Sequence, residues 1–146
     1  MKIESLFHES RDLHRAIEKV ITFGADKEER IGSEIREYIV TPHVESEIED
    51  VLTKMQIAME QGGSNEVGVW VSGFYGSGKS SFTKYLGLAL DESREVDGQP
   101  FLKHLQDRVK KVQTKQLLSK VAKSYPAAVV FLDLASDMLS LSLIHI

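Results

Sequence analysis

Apolar residues recur along this chain in two rhythms, and the first is helical. In SRDLHRAIEKVITFG, Leu13, Ile17, Val20 and Ile21 fall on one face, with Ser10 placed to cap the start and Gly24 past the end. ADKEER then reads as a charged turn, and IGSEIREYIVT fits a helical turn running into a short extended EYIV. Thr41-Pro42 opens a second helix: threonine is a good N-cap, and proline at the first helical position gives up no hydrogen bond. Val44, Ile48, Val51, Leu52, Met55 and Met59 continue it at three- and four-residue spacing until Gly62-Gly63, which assigns the Met55/Met59 pair to the core.

The second rhythm is the unbroken apolar run. VGVWVSG and AAVVFLDL are short, valine-rich and apolar on both faces, as strands buried in a parallel sheet are, and this reading makes Trp70 a packing residue. Between them, Ser80 to Leu90 is a helix with Phe82, Leu86, Ala89 and Leu90 turned inward, and DESREVDGQP is a loop. Phe101, Leu105, Val109 and Val112, then Leu117, Leu118 and Val121, predict one long helix or two consecutive ones, broken at Tyr125-Pro126. Strand, loop, helix and strand in that order predict an α/β fold with a parallel sheet. No internal repeat or low-complexity segment interrupts it.

Chemistry enters at the turn after the first strand. Gly73-Phe74-Tyr75-Gly76-Ser77-Gly78-Lys79-Ser80 fits G-x-x-x-x-G-K-[ST], the phosphate-binding loop, and it stands where that loop belongs, between a strand and a helix. A chance match should occur in well under ~1% of chains this long at average residue usage. Gly73, Gly76 and Gly78 permit backbone conformations that a side chain forbids, so successive N–H groups from about Gly76 to Ser81 converge on an anion at the positive end of the following helix. Lys79 is placed to reach the β- and γ-phosphates as the catalytic cation, Ser80 to ligate Mg²⁺, and Ser81 to touch the α-phosphate. The expectation is a P-loop NTPase whose domain begins over 64–140, behind an N-terminal helical segment over 1–63. No guanine-reading N/T-K-x-D occurs, since Thr114-Lys115-Gln116-Leu117 fails at its last position, and this favours ATP over GTP. Asp133, in VVFLDL, is the candidate for a metal-organising acid; it lacks a following Glu, and it fits equally the end of a strand with the true metal-organising strand still to come.

Composition adjusts this picture in a few places. The 146 residues are 42% hydrophobic and 27% charged, a globular composition with room for one domain. No apolar run approaches the ~20 residues that cross a membrane, and MKIESLFHESRDLHR lacks a secretory pattern. The absence of cysteine excludes disulfides and thiolate metal sites and suits a reducing cytoplasm. The net charge of −4 is unevenly spread: residues 1–61 carry −6, and 98–123 carries +6 through Lys103, Arg108, Lys110, Lys111, Lys115, Lys120 and Lys123 against Asp107. Those lysines fall between apolar positions, as on a solvated helix face, with contact to nucleic-acid phosphates as the alternative. His8, His14, His43, His104 and His145 show no metal-ligand spacing and read as surface or structural.

The run Val67 to Ser80, with Phe82, Lys84 and Leu86, resembles the BrxC (PglY-like) P-loop ATPases of bacterial BREX phage-defence systems. Leu6-Phe7, Arg15, Ile17, Val20 and Glu37-Tyr38-Ile39-Val40-Thr41 resemble that family's N-terminal segment in the same order, so the likeness spans roughly residues 3–135. It implies an AAA-like ATPase working with other BREX proteins, and with DNA in the full-length protein, to block phage replication and support host methylation. Members of that family are far longer than this chain.

Leu141 to Ile146 is what CTGTCTCTTATACACATC encodes, which resembles a transposase adapter of sequencing libraries. Native sequence is therefore expected to stop near Ser140, leaving 141–146 as an artefact and the chain as the front of a longer ATPase. A parallel sheet of this class has about five strands and two are visible, so an exposed sheet edge and a tendency to associate are expected. Such a piece would bind Mg·ATP without useful turnover. Two other functions share the loop: a small-molecule or nucleotide kinase, which usually begins near its loop strand, and a non-hydrolysing module whose interactions the nucleotide gates.

Overall fold

The computed structural model describes residues 28–61, 68–125 and 127–131. Among them are five helices, α1 (Glu28–Glu37), α2 (Pro42–Glu60), α3 (Lys79–Leu90), α4 (Phe101–Arg108) and α5 (Val112–Ser124), and two short strands, β1 (Glu95–Val96) and β2 (Gln99–Pro100). Helix α1 begins inside the charged ADKEER, where a turn was expected. Glu and Arg are strong helix formers, and Arg30 pairs with Glu34 one turn on at 3.1 Å. The chain then runs extended to Thr41, whose Oγ1 accepts the Val44 N–H at 3.2 Å and starts α2 as the Thr-Pro pair predicts. Ile48 and Leu52 are buried; Met55 packs against the core, but Met59 is 42% exposed and does not belong to it.

DESREVDGQP holds an antiparallel hairpin instead of a plain loop. Asp97 and Gly98 both take left-handed backbone angles (φ 52° and 69°), which a two-residue turn between right-twisted strands demands, and Val96 drops into the core. Arg36 binds Asp97 at 2.6 Å, fastening the turn to α1.

The helical pattern after Pro100 resolves into two helices. Val109 is extended (ψ 140°), and α5 starts at a residue, Lys111, whose own side chain caps nothing. The cap comes from α2. Glu45, only 2% exposed, accepts the N–H groups of Lys110 (3.1 Å) and Lys111 (2.6 Å) on one carboxylate oxygen. One turn along, Glu49 accepts the Thr114 hydroxyl and pairs with Lys111 Nζ at 3.1 Å. The Thr114 bond and then the Lys111 bond hold the Glu49 carboxyl below its ordinary pKa, against a smaller opposing effect of burial.

The core lies where α2 packs on α5 and α3 on α4, centred on Leu52, Leu118, Phe101, Leu105 and Ile35. Tyr38, Tyr85 and Phe101 form a chain of rings with centroids 4.7 and 6.2 Å apart. A buried cation lies beside them: Lys84 of α3 pairs with Glu34 of α1 at 3.2 Å, and the Tyr85 hydroxyl donates to the same Glu34 oxygen at 3.5 Å. At the end of α3, burial pushes the Asp91 carboxyl up. The Ser93 hydroxyl (2.6 Å) and N–H (3.0 Å), Arg94 and the Val129 N–H outweigh that and bring it down.

The expected α/β P-loop NTPase fold, AAA-like with a parallel sheet, is overturned: the described residues are mostly helical and their one sheet is the two-stranded antiparallel hairpin. Residues 68–73 belong to no strand, and Trp70 is 91% exposed instead of packed. Of 127–131, only Ala127 forms a bridge, a single parallel one to Asp91, and Val130 is exposed. Valine-rich segments become strands when neighbours pair with them and cover their faces; in this chain the helices satisfy one another instead. The first predicted helix (10–24), Gly62-Gly63, Asp133 and 141–146 lie outside the described residues. No helix among the described residues is long and apolar enough to cross a membrane.

Candidate phosphate-binding site

The glycine-rich loop leads directly into α3, with no strand before it among the described residues. A tight turn is closed by the Ser77 N–H on the Phe74 carbonyl at 3.2 Å. Gly76 and Gly78 are left-handed (φ 77° and 86°), and Gly78 is the N-cap of α3 with no side chain capping it. The first helical bond runs from Phe82 N–H to the Gly78 carbonyl at 2.9 Å, so the N–H groups of Lys79, Ser80 and Ser81 find no partner inside the helix. They stand at the positive end of the α3 dipole.

Lys79 turns back over this loop. Its Nζ donates to the carbonyls of Gly73 (3.0 Å) and Phe74 (2.8 Å), which fixes one positive charge above the loop mouth. Loop, ammonium and open N–H groups together make a receptor for a tetrahedral anion. Ser80 is exposed on the first turn of α3 and Ser81 half-buried, while the Thr83 hydroxyl is engaged by the Lys79 carbonyl at 3.1 Å. Phe74 and Tyr75, at the loop tip, are 90% and 98% exposed.

A cleft of about 910 Å³ opens beside the loop. It brings together Gly73, Phe74, Gly76, Ser77, Gly78 and Lys79; Tyr75, Ser80 and Ser81 do not line it. Its opposite wall is the start of α2 and the extended segment before it, which the sequence pattern did not connect with the loop. His43, Glu47, Asp50 and Lys54 mark that wall. Their spacing was visible as a polar helix face, but such a face ordinarily looks onto water. Asp50 is engaged within α2 by Lys54 at 2.6 Å, while Glu47 lies 3.8 Å from His43, an ion pair only when that histidine is protonated.

Among the described residues no group of three or more His, Asp or Glu could hold a metal ion. The exposed Ser80 hydroxyl fits one ligand position of a Mg²⁺ that arrives on phosphate oxygens and keeps several waters. Of the basic segment 98–123, Lys103 pairs with Asp107, Lys111 with Glu49 and Lys120 with Glu60, and Arg108 donates to the Arg36 carbonyl. His104 is structural, with Nε2 2.8 Å from the Val96 carbonyl, and His43 is exposed; His8, His14 and His145 lie outside the described residues. No family model matches the chain, and no solved structure matches it.

Proposed function

We propose that this chain binds Mg·ATP on the loop Gly73–Ser81. The observation that carries the reading is Lys79, its ammonium held over a left-handed glycine turn at the uncapped start of α3. Lys79 would take the β- and γ-phosphates, the open N–H groups of Lys79, Ser80 and Ser81 would cradle them, and Ser80 would ligate Mg²⁺. The metal would supply charge neutralisation on the phosphate oxygens. Phe74 and Tyr75 contribute backbone to the loop. Of the acids facing the cleft, Asp50 is already paired with Lys54 within α2, which favours binding over turnover by this chain. The resemblance to BREX ATPases gives the binding a setting: phage defence in a bacterial cytoplasm, with other BREX proteins and DNA as partners and hydrolysis in a longer protein.

Isothermal titration with ATP and Mg²⁺ tests this. Lys79→Ala should weaken binding about tenfold or more, the range of a lost charge-assisted contact. Equal affinity in both proteins, or none in the wild type at millimolar ATP, sinks the reading. The exposed Phe74 and Tyr75 favour a second reading, a nucleotide-gated interaction module; partner capture that needs ATP but survives without hydrolysis would distinguish it.

A further inference from the structure

Trp70 carries an inference beyond phosphate binding. It is the chain's single tryptophan, almost wholly exposed, and it lines the same cleft as Gly73 and Lys79. An indole left in water forgoes one of the largest apolar burials a side chain can make, so a free indole in a cleft is matched to something that will cover it. The cleft is near the upper end of ligand-sized pockets, with far more room than three phosphates need. Gly73 is three steps along the chain from Trp70, so the chain's reach keeps their Cα atoms within roughly 11 Å. Ile39 and Val69, also exposed, add apolar side chains to the lining. Phe74 lines the cleft too, but its carbonyl is held by Lys79, which leaves it at the phosphate end.

Resting on the reading of the loop as a phosphate site, we propose that the base of the bound nucleotide stacks on the Trp70 indole, in the cleft between residues 68–72 and α2. The site then has two separable parts: an anion receptor that any polyphosphate satisfies, and an aromatic platform that only a nucleotide uses. Stacking engages the face that every base has and ignores the hydrogen-bonding edges, so Trp70 should discriminate little between adenine and guanine.

The test is Trp70 fluorescence during titration with ATP, GTP and inorganic triphosphate, each with Mg²⁺, together with calorimetry on Trp70→Ala and Trp70→Phe. ATP and GTP should both quench the emission, while triphosphate binds and leaves it unchanged. Trp70→Ala should lose about ten- to a hundredfold in ATP affinity, the range of one base–aromatic stack, and nothing for triphosphate. Trp70→Phe should retain most of the ATP affinity. Because Trp70 is exposed, the alanine variant forgoes no packing, and its triphosphate binding verifies an intact loop. If Trp70→Ala binds ATP as the wild type does, or triphosphate binds as tightly as ATP, the base lies elsewhere and the loop reading survives. If neither ligand binds, both readings fall.

Discussion

Lys79 and Lys84 sit five residues apart on one helix and meet opposite fates. Lys79 is half-buried and held only by two loop carbonyls, partners that a phosphate can share or replace. Lys84 is buried and committed to a carboxylate on another helix. At the same scale Glu49 makes a prediction about pH. Its folded pKa lies below the ordinary glutamate value of 4.5, so the folded state binds fewer protons than the unfolded one as acid is added. The stability this contributes is complete above pH 4.5 and drains as pH falls through the lower, folded value. Asp91, also held down, acts in the same direction. Urea midpoints should therefore decline from pH 6 to pH 3, and Glu49→Gln should flatten that decline while lowering the midpoint at pH 6. An unchanged slope in the variant would remove Glu49 from the account.

Between elements, the pair that fastens α1 to α3 should behave asymmetrically. Glu34→Ala removes the carboxylate that the buried Lys84 ammonium meets at 3.2 Å and should cost about 3 kcal/mol. Lys84→Met removes the charge but fills the same volume, and Glu34 keeps Arg30, so the cost should stay near 1 kcal/mol or below. Denaturant unfolding of both variants decides it, and equal losses would refute the asymmetry. Which elements could be read from sequence follows from how local their causes are. Thr41-Pro42 announces α2 because cap and proline act within one turn, and the glycine-rich turn before α3 is visible because its glycines and Lys79 meet across six residues. VGVWVSG misled because a strand is made by its neighbours, and nothing in its own valines says whether any will pair. Asp97-Gly98 is a hairpin signal set inside a polar stretch, with no alternating apolar run on either side to mark its strands. The α2 wall of the cleft was illegible because only the packing of α2 beside the loop turns a polar face into a lining.

For the whole molecule, the proposed nucleotide binding would be linked to folding stability. ATP at a hundred times its dissociation constant should add about 2.7 kcal/mol, which raises Tm by about 5–10 °C for a chain of this size. Scanning fluorimetry with a dye should show that shift, and Lys79→Ala should abolish it; the same shift in the variant would place ATP on another surface. The remote carboxylate that caps α5 bears on the order in which the chain folds. Glu45 and Lys111 lie 66 residues apart, and α5 has 13 residues and no cap of its own. A lone helix of that length is marginal in water, because nucleating the first turn is costly. Helix α5 therefore cannot serve as an early, self-starting unit: a long loop must close before its first turn gains an acceptor, and that closure has an entropic cost local helices avoid. A peptide of residues 101–125 alone should be largely coil by circular dichroism, because the carboxylate that starts α5 stands 66 residues before Lys111.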